Sequence, residues 1–185
     1  MVSTSRDNFL EGRAGLEAGL RPAAGLGAWL KAEAEVQRFD LEDTTLFFDH
    51  HVLRATAGPR WGGAGGLDVW IAARVERLSA RLAPGESYLE AAVLAEIELF
   101  AGGGWWSVTP AGGRRDYGDD PASAAFGLPQ LRATYRFAEL TLLAEQPLGG
   151  AVRARALATG RIEWHEDDSQ DARSLYISVD VRKLF

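Results

Sequence analysis

No cysteine occurs among the 185 residues. That excludes a disulfide framework and any thiolate chemistry. Lysine is nearly missing too: Lys31 and Lys183 are the only two, and arginine carries almost all of the positive charge. The formal net charge is −6, so the broad positive field that draws nucleic-acid backbones is lacking, and nucleic acid is not an expected partner. No stretch reaches the roughly 18 consecutive apolar residues of a membrane-crossing helix. Residues 1–13 lack the apolar core of a secretion signal. By these criteria the expectation is a cytoplasmic chain with no membrane partner. The motifs Gly-x-Ser-x-Gly, His-Glu-x-x-His and the phosphate-binding P-loop are absent as well, and with them three common signatures of catalysis.

What is present is ample core material: 46% of residues are hydrophobic and six are tryptophan. A chain of this length buries about 70% of its unfolded surface and needs no metal or cofactor to fold. One domain over 1–185 is expected. Residues 4–20 read as an N-terminal helix, with Phe9, Leu10, Leu16 and Leu20 near helical spacing. Residues 67–82 read as a second helix, carried by Leu67, Trp70, Ile71, Val75, Leu78 and Leu82. Between them, 30–39 alternates apolar and charged residues at the period of a strand, and 44–57 is the return strand. Residues 58–66 form a glycine-rich joint.

Strands are expected again at 87–100, 105–109 and 131–145, with a long polar loop over 110–127. In 131–145 the apolar phase moves from Tyr135 and Phe137 to Leu140 and Leu142, which predicts a β-bulge. The final hairpin, 151–184, is set to pair Ile162 with Ile177 and Trp164 with Leu175. The fold expected is α+β: a mainly antiparallel, curved sheet or partial barrel of six to seven strands packed on one or two helices.

Adjacent Trp105 and Trp106 cannot both face a core, so one should be exposed or sit at an interface. With the charged residues Arg114 and Arg115 and with Tyr117, they make up the expected binding surface. The histidines supply the alternative. Two histidines and a carboxylate suit zinc or iron, so His50 or His51 with His165 and Glu166 would make a metal site inside the sheet. Neighbouring strand residues point to opposite faces, so only one of His50 and His51 can serve it. Glu96 and Glu98 share a strand face, where solvation explains them better than acid–base work. Arg153, Arg155, Arg161 and Arg182 are best explained by ion pairs across strands. The glycines after Trp61 read as a hinge rather than an anion cradle.

The run Arg114-Arg115-Asp116-Tyr117-Gly118-Asp119-Asp120, followed by Leu131-Arg132-Ala133-Thr134-Tyr135-Arg136-Phe137, resembles the end of phage tail-terminator proteins. In that family a charged loop precedes a strand of alternating aromatic and polar residues. The resemblance implies a ring-forming subunit with helices against an antiparallel sheet, and a place in a virion-like particle. The functional expectation is a non-enzymatic binding or assembly protein that contacts a protein partner or further copies of itself. The alternative is a small-molecule carrier or metal-dependent enzyme with its site inside the curved sheet.

Overall fold

A computed structural model describes residues 9–20, 25–39, 49–62, 65–80, 84–117 and 134–183. They form nine strands: β1 (Phe9–Leu20), β2 (Leu26–Phe39), β3 (His50–Gly62), β4 (Leu67–Ala80), β5 (Tyr88–Ala101), β6 (Gly104–Tyr117), β7 (Tyr135–Gly149), β8 (Val152–His165) and β9 (Ala172–Lys183). Each strand pairs antiparallel with the next, in one sheet of order β1 to β9. Among the described residues there is no α-helix, and the outer edges of β1 and β9 carry no partner strand.

This overturns the α+β expectation. Both proposed helices are strands. In β4, Val69, Ile71 and Val75 are β-branched and prefer a pleated surface. The strand is paired along its length on both sides, to β3 and to β5. Its helical stripe mixes two faces: Leu67, Ile71 and Val75 lie on one, Trp70 and Leu78 on the other. In β1, Gly12, Gly15 and Gly19 weaken a helix, whereas pairing with β2 supplies a hydrogen-bond partner for the whole segment. Residues 4–8 lie outside the described set.

Residues 58–62 belong to β3 and 110–117 to β6, so joint and loop are both shorter than expected; 63–64 and 118–127 lie outside the described residues. The expected turn at 40–43 and residues 44–48 of the expected return strand also lie outside them. The bulge expected near 137–140 is absent, because β6 and β7 pair without interruption from Trp105–Glu145 to Arg115–Tyr135; the shift in β7 lies instead at Pro147/Gly149. Tyr135 and Phe137 simply point to the face opposite Leu140 and Leu142.

The last hairpin pairs Ala158 with Ile177 and Ile162 with Arg173, four residues from the expected register. An even slip keeps every side chain on its face. Its cause is a tight connection. A 3-10 turn, Asp168–Gln170, is capped by the Asp167 carboxylate, which accepts from the Ser169 N–H at 3.0 Å. Asp171 accepts from the His165 N–H at 2.9 Å.

Connections at one end of the sheet are short (21–25, 63–66, 102–103 and 150–151); those at the other are longer (40–49, 81–87, 118–134 and 166–171). Gly102 and Gly103, with φ of 60° and 76°, close a two-residue hairpin between Ala101 and Gly104. A positive φ at both positions is the signature of a type I′ turn, whose twist matches that of the strands.

Candidate functional site

The two faces of this sheet differ more than any local cluster of residues does. One face carries Leu16 and Leu20 of β1, Leu26 and Leu30 of β2, Leu53 and Trp61 of β3, and Leu67, Ile71 and Val75 of β4. It continues with Val93, Ile97 and Leu99 of β5, Trp106 and Val108 of β6, Leu140 and Leu142 of β7, Ile162 of β8, and Leu175, Ile177, Val179 and Val181 of β9. The register places all of these on one side, and all are solvent-exposed; Val93 is 62% and Ile177 64% accessible. Among the described residues, every exposed large hydrophobic residue except Phe100, Leu148 and Tyr176 lies on this face. Among the residues whose side chains are described, charge appears on it only toward the long-loop end, at Arg38, Arg77, Arg114, Asp116, Arg136 and Arg173. A compact monomer of 20.0 kDa exposes about 8,700 Å², whereas this chain exposes 12337 Å².

The opposite face holds the buried residues. Trp70, Ala72 and Leu94 form one cluster, against which Trp29 and Ala111 pack. Ala92, Tyr135 and Phe137 form another, with Tyr117 beside it. Between the aromatics runs a lattice of ion pairs centred on Glu90, which is 2% exposed. Arg74 donates to one Glu90 oxygen at 2.9 Å. Arg115 donates to the other through two nitrogens, at 2.9 and 2.6 Å, and its guanidinium lies 3.9 Å over the Tyr88 ring. Arg161 reaches the same oxygen at 3.5 Å while holding Glu163 at 2.9 Å and Glu139 at 3.2 Å, and stacks 3.8 Å over Phe137.

Arg161 lies on β8 and Glu90 on β5, three strand spacings apart, about 14 Å on a flat sheet. The sheet is therefore concave toward its charged face. Further along it, Arg54 and the Tyr88 hydroxyl both donate to Glu76, at 2.5 and 2.6 Å. Arg60 joins Asp68 at 2.9 Å and Glu98 at 3.2 Å.

These contacts tune the carboxylates in opposite directions. Burial raises the pKa of Glu76, but the Tyr88 hydroxyl and Arg54 outweigh it and leave it lowered. Its contribution to stability is present above the ordinary glutamate range and is lost as pH falls through its folded value. Glu96 is raised, first by burial and then by neighbouring Glu98, against the pull of Arg60. Ionising Glu96 therefore costs stability, and that cost is gone below the ordinary glutamate range. Glu96→Gln is expected to raise the urea midpoint at neutral pH and to leave it unchanged at acid pH. An equal gain at both pH values would contradict this assignment.

The expected binding surface does not come together. Trp106 stands on the exposed apolar face, while Trp105 lies on the other and stacks on Phe100, with ring centroids 6.5 Å apart. Arg114 points to the apolar side, Arg115 to Glu90, and Tyr117 packs 5.7 Å from Tyr88 and 6.2 Å from Tyr135.

The histidines do not meet either. His50 and His51 are on β3 and His165 is at the end of β8, five strands away. His51 lies 3.3 Å from Arg38, and His165 packs 4.8 Å from the Tyr135 ring, with Glu163 at 3.7 Å. Glu166 is exposed. Among the described residues no group of three or more histidine, aspartate or glutamate side chains is placed to hold a metal. The glycines after Trp61 lead into a strand, so no helix start is there to bind an anion.

Of the arginines expected to pair across strands, Arg153 holds Glu145 of β7 at 2.8 Å, whereas Arg182 holds Asp180 of its own strand at 3.0 Å. The Glu90 hub was missed by sequence reasoning. Its one signal was a lone acid in the otherwise apolar run Leu89-Glu90-Ala91-Ala92.

No helix among the described residues is long and apolar enough to cross a membrane. No protein-family model matches the chain, and no curated protein or solved structure shows significant similarity to it. The resemblance to phage tail-terminator proteins thus rests on residues 114–137 alone.

Proposed function

We propose that this sheet is the wall of a transmembrane β-barrel, with its apolar face toward lipid and its charged, concave face toward a polar lumen. The observation that carries this reading is the inversion itself. All nine strands turn aliphatic side chains to the outside and collect ion pairs within. In water such a surface would be an aggregation hazard, since soluble monomers rarely expose apolar patches beyond a few hundred Å². In a bilayer it is the expected exterior.

Dimensions agree. In β4 the uncharged outward run, Leu67 to Val75, spans nine residues. That is about 30 Å along the strand and about 23 Å along the normal at a tilt near 40°, close to the ~25 Å apolar band of such barrels. Trp61 and Trp106 lie toward the short-turn rim and Trp164 toward the long-loop rim, where aromatic belts sit. One end has short turns and the other longer loops, as in barrels of this type. The sequence criterion that pointed away from membranes concerns helices, and strands cross with about 9–11 residues of alternating character.

Lipid leaves no free sheet edge, because unpaired backbone groups cost several kcal/mol there. The outer edges of β1 and β9 therefore take further strands. The non-enzymatic assembly role expected from the sequence acquires a specific form: β-pairing along these two edges.

The absence of cysteine makes every introduced thiol unique. Single cysteines at 174 to 179 in β9, labelled with a fluorophore in protein folded into phosphatidylcholine vesicles, should show quenching by lipid-borne nitroxide with a period of two. Labels at 175, 177 and 179 are expected to be quenched and those at 174, 176 and 178 spared. Quenching at none of the six positions would sink the membrane reading.

A further inference from the structure

We infer that Arg114 and Arg136 together bind the phosphate of a lipid headgroup at the long-loop rim, an assignment that rests on the membrane reading above. The two arginines are direct register partners on β6 and β7. Both are on the outward face and both are exposed. Their Cβ atoms are therefore about 5 Å apart, and like charges placed so are destabilising. An anion between them turns that repulsion into attraction.

Five arginines of the charged face show what Arg136 lacks. Arg54, Arg60, Arg74, Arg115 and Arg161 each hold a carboxylate there. Arg136 has no ion pair among the described residues. Arg114 has Asp116, bound through Nε at 2.7 Å, which leaves its two terminal nitrogens free to face outward. Among the described residues Asp116 is the one carboxylate paired with either arginine, and it offsets only one of their two charges.

Trp164 follows Arg136 in the same row on β8 and is exposed. One row below, the face turns apolar on β5 to β8, with Val93, Gly112, Ala138 and Ile162. A guanidinium pair flanked by tryptophan, directly above an apolar wall, matches a phosphate that sits directly above acyl chains. Guanidinium suits this position because it is weakly hydrated and presents forked donors to phosphate oxygens. Arg77 and Arg173 extend the same rim on β4 and β9.

The test extracts the protein from vesicles of mixed phosphatidylcholine and phosphatidylglycerol and measures the lipid that stays bound by mass spectrometry. About tenfold enrichment of phosphatidylglycerol over the bulk ratio is expected, a difference of about 1.4 kcal/mol. Arg114→Ser/Arg136→Ser should return the ratio to bulk, and Arg136→Ser alone should remove most of the enrichment should the double variant fold poorly. Arg155→Ser, on the opposite face, should leave it intact.

Enrichment that survives in the arginine variants overturns the assignment. So does inorganic phosphate that protects the two arginines from phenylglyoxal in detergent as well as phosphatidylglycerol does, since that marks a site for free anions. Flotation of the vesicles separates the two claims. Protein that floats without lipid preference loses only the phosphate site, whereas protein that does not float loses the membrane reading and this site with it.

Discussion

Glu90→Leu is expected to destabilise the protein by about 3–5 kcal/mol, the cost of removing one partner from a buried ion pair and leaving the other uncompensated. Glu90 is the largest fully buried side chain among the described residues, and three arginines from three different strands converge on it. Its removal leaves Arg74 without its one described carboxylate. Arg115 is left between the Tyr88 and Tyr135 rings, 3.9 and 5.9 Å from their centroids, without its ion-pair partner among the described residues. Arg161 keeps Glu139 and Glu163, so the loss falls on β4 and β6 more than on β8. Glu145→Gln supplies the comparison. Its partner Arg153 is 46% exposed, and a pair of that kind contributes about 0–1 kcal/mol. Urea unfolding of protein folded into lipid vesicles reads both. A cost below about 1 kcal/mol for Glu90→Leu would mean that the hub does not hold the inner face together.

A charge placed in the middle of the apolar face should be nearly as damaging, and only in a membrane. Val93→Arg and Ile177→Arg are each expected to cost about 2–4 kcal/mol in vesicles, while Leu89→Arg, nearer the long-loop rim, should cost about 0–1 kcal/mol. The gradient follows from depth. Arginine near a rim reaches headgroups and water, and arginine at the midplane does not. The same side chains are among the most exposed in the structure. On a water-facing surface, substitutions at such positions change stability by no more than about 0.5 kcal/mol. Equal, near-zero costs at all three positions would identify the face as water-exposed and remove the basis of the proposed function.

Much of the strand content was legible, because alternation over 30–39, 87–100 and 151–184 survives without any knowledge of what surrounds the sheet. The misreadings share one cause. Ordinary patterning assumes that apolar side chains point to a core, so Trp70 and Leu78 were grouped with Ile71 and Val75 into one stripe when they lie on opposite faces. The same assumption turns Tyr135, Phe137, Leu140 and Leu142 into a bulge, although Tyr135 and Phe137 fill the concave face while Leu140 and Leu142 cover the convex one. Alanine and glutamate, both good helix formers, obscured β1 and β4 further. The Glu90 hub was illegible for a different reason. Its members come from β4, β5, β6 and β8, and only the curvature of the sheet brings Arg161 within reach. The arginine rim needed the register, since nothing in the sequence says that Arg114 and Arg136 stand opposite each other.

A meander of nine strands also has a parity. β1 runs from the long-loop rim to the short-turn rim, each later strand reverses direction, and β9 again runs the same way as β1. Joining these two edges directly would create a single parallel seam in an otherwise antiparallel cylinder. Closing the wall with antiparallel pairing throughout takes an odd number of further strands, whether from the same polypeptide or another. The total is then even, as in single-chain bacterial barrels.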